Sequence, residues 1–127
     1  MPTDNTLKDR ITTLQEVKEK IGKFIADREW DKFHNAKNLS MQIAAEAAEL
    51  MEHFLWEENT AAVDEKMKNN RDEIEQEIAD VVIGIICLCN RYGIDLATAI
   101  NNKMELNGKR YPVEKSKGNT TKYTKFS

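Results

Sequence analysis

Apolar residues recur every three or four positions along four long stretches of this 127-residue chain, a spacing that suits packed helices and little else. Leu7, Ile11, Leu14, Val17, Ile21 and Ile25 predict a first helix over about 6–26. Leu39, Ile43, Leu50 and Phe54 predict a second over about 38–56. Ile74, Ile78, Val81, Ile85 and Leu88 form the stripe of a third over about 71–91, with Gly93 as its C-terminal stop. Asp95 is placed to cap a fourth, over about 95–107 and stopped by Gly108. Residues 27–37 read as a charged and aromatic connection, and 59–69 as a polar stretch with room for a short helical piece. No segment alternates with period two, and 5 Gly and 2 Pro are too few for a turn-rich sheet protein. The expectation is an all-α, four-helix bundle forming one domain over 1–127. A chain of this length buries roughly two thirds of its unfolded surface, enough for a real core.

The net charge of −3 conceals an uneven distribution. Residues 108–127 carry Lys109, Arg110, Lys115, Lys117, Lys122 and Lys125 against Glu114, a sum of +5, which leaves −8 for the remainder. An acidic body with a basic tail suits a metal in one place and phosphate in another, or equally a solvated tail. The longest apolar run, Val81 to Cys89, is too short to span a bilayer, so no membrane partner is expected. Cys87 and Cys89 face different ways on a helix, which argues against a disulfide or a shared metal. They read as small buried hydrophobes in a reducing, cytoplasmic setting.

Two acidic pairs interrupt the apolar pattern. Glu46 and Glu49 sit in Ile-Ala-Ala-Glu-Ala-Ala-Glu-Leu-Met, and Glu77 and Asp80 run into Val-Val-Ile-Gly-Ile-Ile. A spacing of three puts each pair on one helix face. The surroundings, more than the spacing, set them apart, because carboxylates among small apolar residues need cations or strong hydrogen bonds. Gln42, Glu46, Glu49, His53 and Trp56 share one stripe, and Glu77, Asp80, Gly84 and Cys87 another. Antiparallel packing of the second and third helices would bring all four carboxylates together. Such a group requires a counter-charge, since two unit charges 4 Å apart repel by about 4 kcal/mol at an effective dielectric of 20.

Oxygen-only ligands select a hard cation, Mg²⁺ with Mn²⁺ as a substitute, over zinc. A ferritin-like di-iron site would want Glu-x-x-His pairs, and neither His34 nor His53 follows a Glu at that spacing. Because Mg²⁺ shares its sites with substrate phosphates, the chemistry indicated is metal-assisted hydrolysis of a phosphoanhydride. No Gly-x-x-x-x-Gly-Lys-Ser/Thr loop is present.

The ordered motifs resemble the MazG-like nucleotide pyrophosphohydrolases, whose acidic pattern is Glu-x-x-Glu, a variable gap, then Glu-x-x-Asp. Within that family the resemblance is to the dCTP pyrophosphatases. It is carried by Arg-Glu-Trp-Asp-Lys-Phe-His at 28–34, Asn38-Leu39, Glu46 to Trp56, Glu77 to Val82, Lys103-Met104, Asn107, Arg110-Tyr111-Pro112 and Lys122-Tyr123-Thr124. It implies a helical fold completed by oligomerisation as a dimer or dimer of dimers, and Mg²⁺ held by Glu46, Glu49, Glu77 and Asp80. It implies cleavage of a nucleoside triphosphate, dCTP or a related pyrimidine dNTP, to the monophosphate and pyrophosphate, in nucleotide pool sanitation. A base pocket would use the Trp30–His34 segment, Asn38 and Trp56.

Trp30 and His34 could stack on a base and bond its edge, and Trp56, two helical turns or roughly 11 Å past Glu49, could reach one. Isolated tryptophans are more often core or interface anchors. Lys103, Asn107 and Arg110 could meet the triphosphate, although Arg110 could instead pair with an acid. The pattern departs at Gly84, where the animal dCTP pyrophosphatases carry tyrosine. Rival readings are a pyrophosphohydrolase for dUTP, a modified dNTP or phosphoribosyl-ATP, and a helical oligomer that binds nucleotides without turnover. A nucleic-acid binder fits poorly with the acidic body and the lack of a recognition motif.

Overall fold

A computed structural model describes residues 6–127. The order is α1 (Leu14–Asp27), α2 (Ala36–Glu52), α3 (Thr60–Asn69), α4 (Arg71–Tyr92), α5 (Leu96–Arg110) and α6 (Val113–Ser116). Single 3₁₀ turns lie at Asp31–Phe33 and Tyr123–Lys125, and there is no strand among the described residues. The backbone groups into two compact units, Met1–Ile94 and Asp95–Ser127. No single helix among the described residues is long and apolar enough to cross a membrane.

The first helix starts later than the apolar spacing predicts. Thr13 and Glu16 form a reciprocal cap: Thr13 Oγ1 accepts from the Glu16 N–H (3.1 Å), and Glu16 Oε1 accepts from the Thr13 N–H (3.2 Å). Leu7 and Ile11 keep the helical spacing but precede this cap and stay exposed. A period without a surface to bury against does not sustain a helix. At its other end α1 closes with two crossed bonds, Trp30 N–H to Ile25 O (3.1 Å) and Glu29 N–H to Ala26 O (3.0 Å). Glu29 holds the left-handed position at φ 53°, where glycine is usual. The apolar contact that accompanies such a cap is present, with the Trp30 ring edge-on to Phe24 at 5.8 Å.

Helices α2 and α4 pack antiparallel. The Ala36 N–H donates to Tyr92 Oη (2.7 Å), Leu39 and Cys87 share the buried core with Ile25, and Ile43 lies against Gly84. A β-carbon at Gly84 would come within 2.9 Å of Ile43 Cγ1, so glycine here sets how closely the two helices approach. The core continues through Ile74, Ile86 and Cys89, all buried on α4.

Two predicted boundaries need correction. Helix α2 ends at Glu52, and residues 53–56 turn away through bonds such as Phe54 N–H to Met51 O (2.9 Å), so Trp56 is not helical. Leu55 and Trp56 stay exposed. Gly108 does not stop the fourth helix: α5, capped by Asp95 at the Thr98 N–H (3.0 Å), continues to Arg110, just before Tyr111 and Pro112. The predicted apolar stripe of α4 is only partly covered, since Ile78 is 44% exposed. The face turned toward α2 carries the expected stripe of Glu77, Asp80, Gly84 and Cys87.

Candidate metal centre

The antiparallel pairing sets Glu46 of α2 opposite Glu77 and Asp80 of α4. One carboxylate oxygen from each lies within 4.8 Å of the others. Glu49, one turn along α2, lies close enough to both Glu46 and Glu77 for its charge to act on them. Three of the four predicted carboxylates therefore form a tight triad, and Glu49 acts on two of its members from one turn away. Carboxylates this close repel one another, and a cation between them would relieve that repulsion. Burial first, and then repulsion from Glu49 and Asp80, raise the Glu46 pKa above its ordinary value of 4.5. Glu77 is raised by burial and by Glu49, an effect that nearby His53 opposes.

The donor set fits a hard divalent cation. The ligands are all oxygens, and Oε2 of Glu46 and Oε2 of Glu77 are buried with no hydrogen-bond partner among the described residues. A buried carboxylate oxygen left unbonded costs free energy, and a cation seated between the helices would remove that cost.

Two neighbours were not singled out as site residues by the sequence. His53 Nε2 stands 3.9 Å from Glu77 Oε1, with side chains 15% and 21% exposed. Its place on the Gln42–Glu46–Glu49 stripe was the available signal. Lys66 of α3 enters an open cleft of about 400 Å³ that is also lined by Glu49, His53, Asn70 and Glu77. Nothing local to its polar stretch marks it, because α3 reaches the site only through its packing on α4.

The Trp30–His34 segment lies ahead of the N-terminus of α2, and Trp56 lies beyond its C-terminus. The 17 residues of α2 between them span about 25 Å. Trp30 is half exposed, and Trp56, 89% exposed, has no ring partner among the described residues. The chain thus holds the two indoles at opposite ends of one helix. Asn38 spends its side-chain amide on the Phe33 carbonyl (3.1 Å).

The MazG-like family model matches residues 41–126, a stretch that contains both acidic pairs. The chain belongs to the MazG-like family. It is 34% identical over 113 residues to dCTP pyrophosphatase 1 of Mus musculus, which covers 88% of this chain and 66% of that protein. The Homo sapiens protein of the same name is 31% identical over 115 residues, covering 90% and 68%. The chain thus spans about two thirds of the length of these curated relatives. A solved structure of a pyrophosphatase from Archaeoglobus fulgidus aligns with a TM-score of 0.77 at 34% identity, covering 84% of this chain and 99% of that one.

In this MazG-like chain the remaining predicted residues, Lys103, Asn107 and Arg110, lie on α5 in the second unit, at a spacing that puts them on one face. The Arg110 guanidinium sits 4.9 Å over the Tyr123 ring and forms no ion pair among the described residues. Tyr111 packs edge-on to Tyr123 (5.7 Å) and Phe126 (5.9 Å), which folds the basic tail back on the end of its own helix.

Proposed function

We propose that this protein is a Mg²⁺-dependent nucleoside triphosphate pyrophosphohydrolase that converts dCTP or a related pyrimidine dNTP, with water, to the monophosphate and pyrophosphate, as part of nucleotide pool sanitation. The observation that carries this reading is the carboxylate set Glu46, Glu49, Glu77 and Asp80, with two buried oxygens left unbonded. These residues would hold the cation, which when bound supplies charge neutralisation for the phosphates and a lower pKa for the attacking water. The water oxygen attacks the α-phosphorus, the bond to the α–β bridging oxygen breaks, and a carboxylate of the set takes the water's proton. The names of the relatives and of the structural neighbour support the reaction class.

The Trp30–His34 segment is read as the base site, Lys103, Asn107 and Arg110 as phosphate ligands, and Trp56, at the far end of α2, as an aromatic wall that would reach a base only from a further copy of the chain. On this reading both units belong to one pyrophosphohydrolase domain, because the family match runs across their boundary. Ile78, Val82 and Ile83 on α4 and Met51 and Leu55 near the end of α2 stay exposed, and we read them as surface covered by further copies in a dimer or tetramer. Cys87 and Cys89 are buried free thiols, in keeping with a cytoplasmic setting.

One departure bears on the sugar or phosphate contacts. This chain has Gly84 where the resemblance implies tyrosine, and a β-carbon there would meet Ile43 Cγ1 at 2.9 Å. The test is a panel of nucleoside triphosphates with Mg²⁺ and with Mn²⁺, assayed for monophosphate and pyrophosphate. The expected result is pyrophosphate release that is fastest on a pyrimidine dNTP. No release from any member with either metal would overturn the proposal, and a clear preference outside the pyrimidines would overturn its substrate half.

A further inference from the structure

The Trp30–His34 segment has one apolar contact, the Trp30 ring edge-on to Phe24, and little burial. None of Asp31–Phe33 is buried, and Trp30 and Phe33 are exposed. Its main chain is nevertheless tied down from the C-terminal end of α4. Arg91 Nε donates to the His34 carbonyl (2.9 Å), and Tyr92 Oη accepts from the Ala36 N–H (2.7 Å). Both bonds go to backbone atoms, one in the segment and one at the first residue of α2, and use neither the Trp30 indole nor the His34 imidazole. Arg91 forms no ion pair among the described residues, and its guanidinium lies 5.8 Å over the ring of its neighbour Tyr92.

We infer that Arg91 and Tyr92 are positioning residues that hold the Trp30–His34 segment in place for the nucleotide base. The inference rests on the reading of that segment as the base site. A side chain that stacks on a ligand must be fixed without being covered, and backbone bonds from a neighbouring helix achieve this where burial would not. The same helix presents Glu77 and Asp80, so base segment and carboxylates are both referred to α4.

The test compares Tyr92→Phe, Arg91→Met, Arg91→Lys and Trp30→Ala in the full chain, with kcat and KM for dCTP, inhibition by inorganic triphosphate, and melting temperature. Tyr92→Phe and Arg91→Met are expected to raise KM about 3- to 10-fold, the size of one net hydrogen bond. Their kcat and triphosphate inhibition should stay within about 2-fold of wild type, on the reasoning that uniform binding is lost. Arg91→Lys keeps a donor and should restore most of the loss. If Trp30→Ala raises KM while Tyr92→Phe and Arg91→Met leave it alone, the positioning role is wrong and the base site stands. If Trp30→Ala itself leaves KM unchanged, the base-site reading fails and takes the inference with it. A lower melting temperature with unchanged KM in both α4 variants would show a purely structural tie and also overturn it.

Discussion

The two ends of α2 are organised by different physics. Toward its C-terminal half, Glu46 and Glu49 meet Glu77 and Asp80 because helical period and antiparallel packing leave them no other place. Ahead of its N-terminus, Trp30 to His34 are placed by a left-handed cap, a side-chain amide and two bonds from α4. The first region is built from residues that repel one another and invite a ligand. The second is built from bonds that are already satisfied and leave aromatic faces exposed. A function that needs both would be lost in different ways at each end.

The largest effect is expected at the carboxylates. Asp80→Asn and Glu49→Gln should each lower kcat/KM for pyrophosphate release by at least about 100-fold, a loss of roughly 3 kcal/mol or more, while circular dichroism still shows a helical fold. Activity within a few-fold of wild type in both variants would break the comparison at its stronger end.

Next in size is the response to metal. Mg²⁺ at about 100 times its dissociation constant should stabilise the chain by about 2.7 kcal/mol, seen as a rise of several degrees in melting temperature against chelator. Without metal, the raised Glu46 and Glu77 keep protons that the unfolded chain releases near the ordinary value of 4.5. Their stabilising contribution is present below that pH and is lost as pH rises through the raised folded values. Melts in chelator should therefore fall from pH 4.5 toward neutrality more steeply for wild type than for the Glu46→Gln, Glu77→Gln double variant. Equal slopes would argue against strained carboxylates.

At the aromatic end, Trp30→Ala and Trp56→Ala should weaken nucleotide binding by about 1–3 kcal/mol if each stacks on the base, with bare triphosphate affected much less. Unchanged nucleotide affinity in folded variants, with a smaller particle by light scattering, would make the indoles interface anchors instead.

Of similar or smaller size, Gly84→Ala should cost about 1–3 kcal/mol of stability, because its β-carbon would press Ile43 at 2.9 Å. The smallest effect is Glu29→Gly, which relieves the left-handed cap at φ 53° and should raise stability by up to about 1 kcal/mol. A melt that is unchanged or lower would mean that the Glu29 side chain makes up for its backbone strain.

Helix type, the two acidic pairs and their shared stripes were legible in the residues alone, because helical period is a local property that any eighteen-residue window reveals. The same locality misled at the ends: Leu7, Ile11 and Trp56 keep the period but lie outside their helices, since a cap or a tightened turn depends on one or two bonds rather than on spacing. How closely α4 meets α2 was a tertiary decision. Gly84 permits the close approach that sets Glu77, Asp80 and Cys87 against α2, while Ile78 of the apolar stripe is left 44% exposed. Arg91, Tyr92, His53 and Lys66 acquire their roles only from neighbours far away in the chain, through His34, Ala36, Glu77 and the cleft beside α3. The sequence by itself determined that carboxylates would sit on helices and share a face. Only packing decided that the two faces meet, because a helix carries its period within itself and its partner is chosen by the surface that fits.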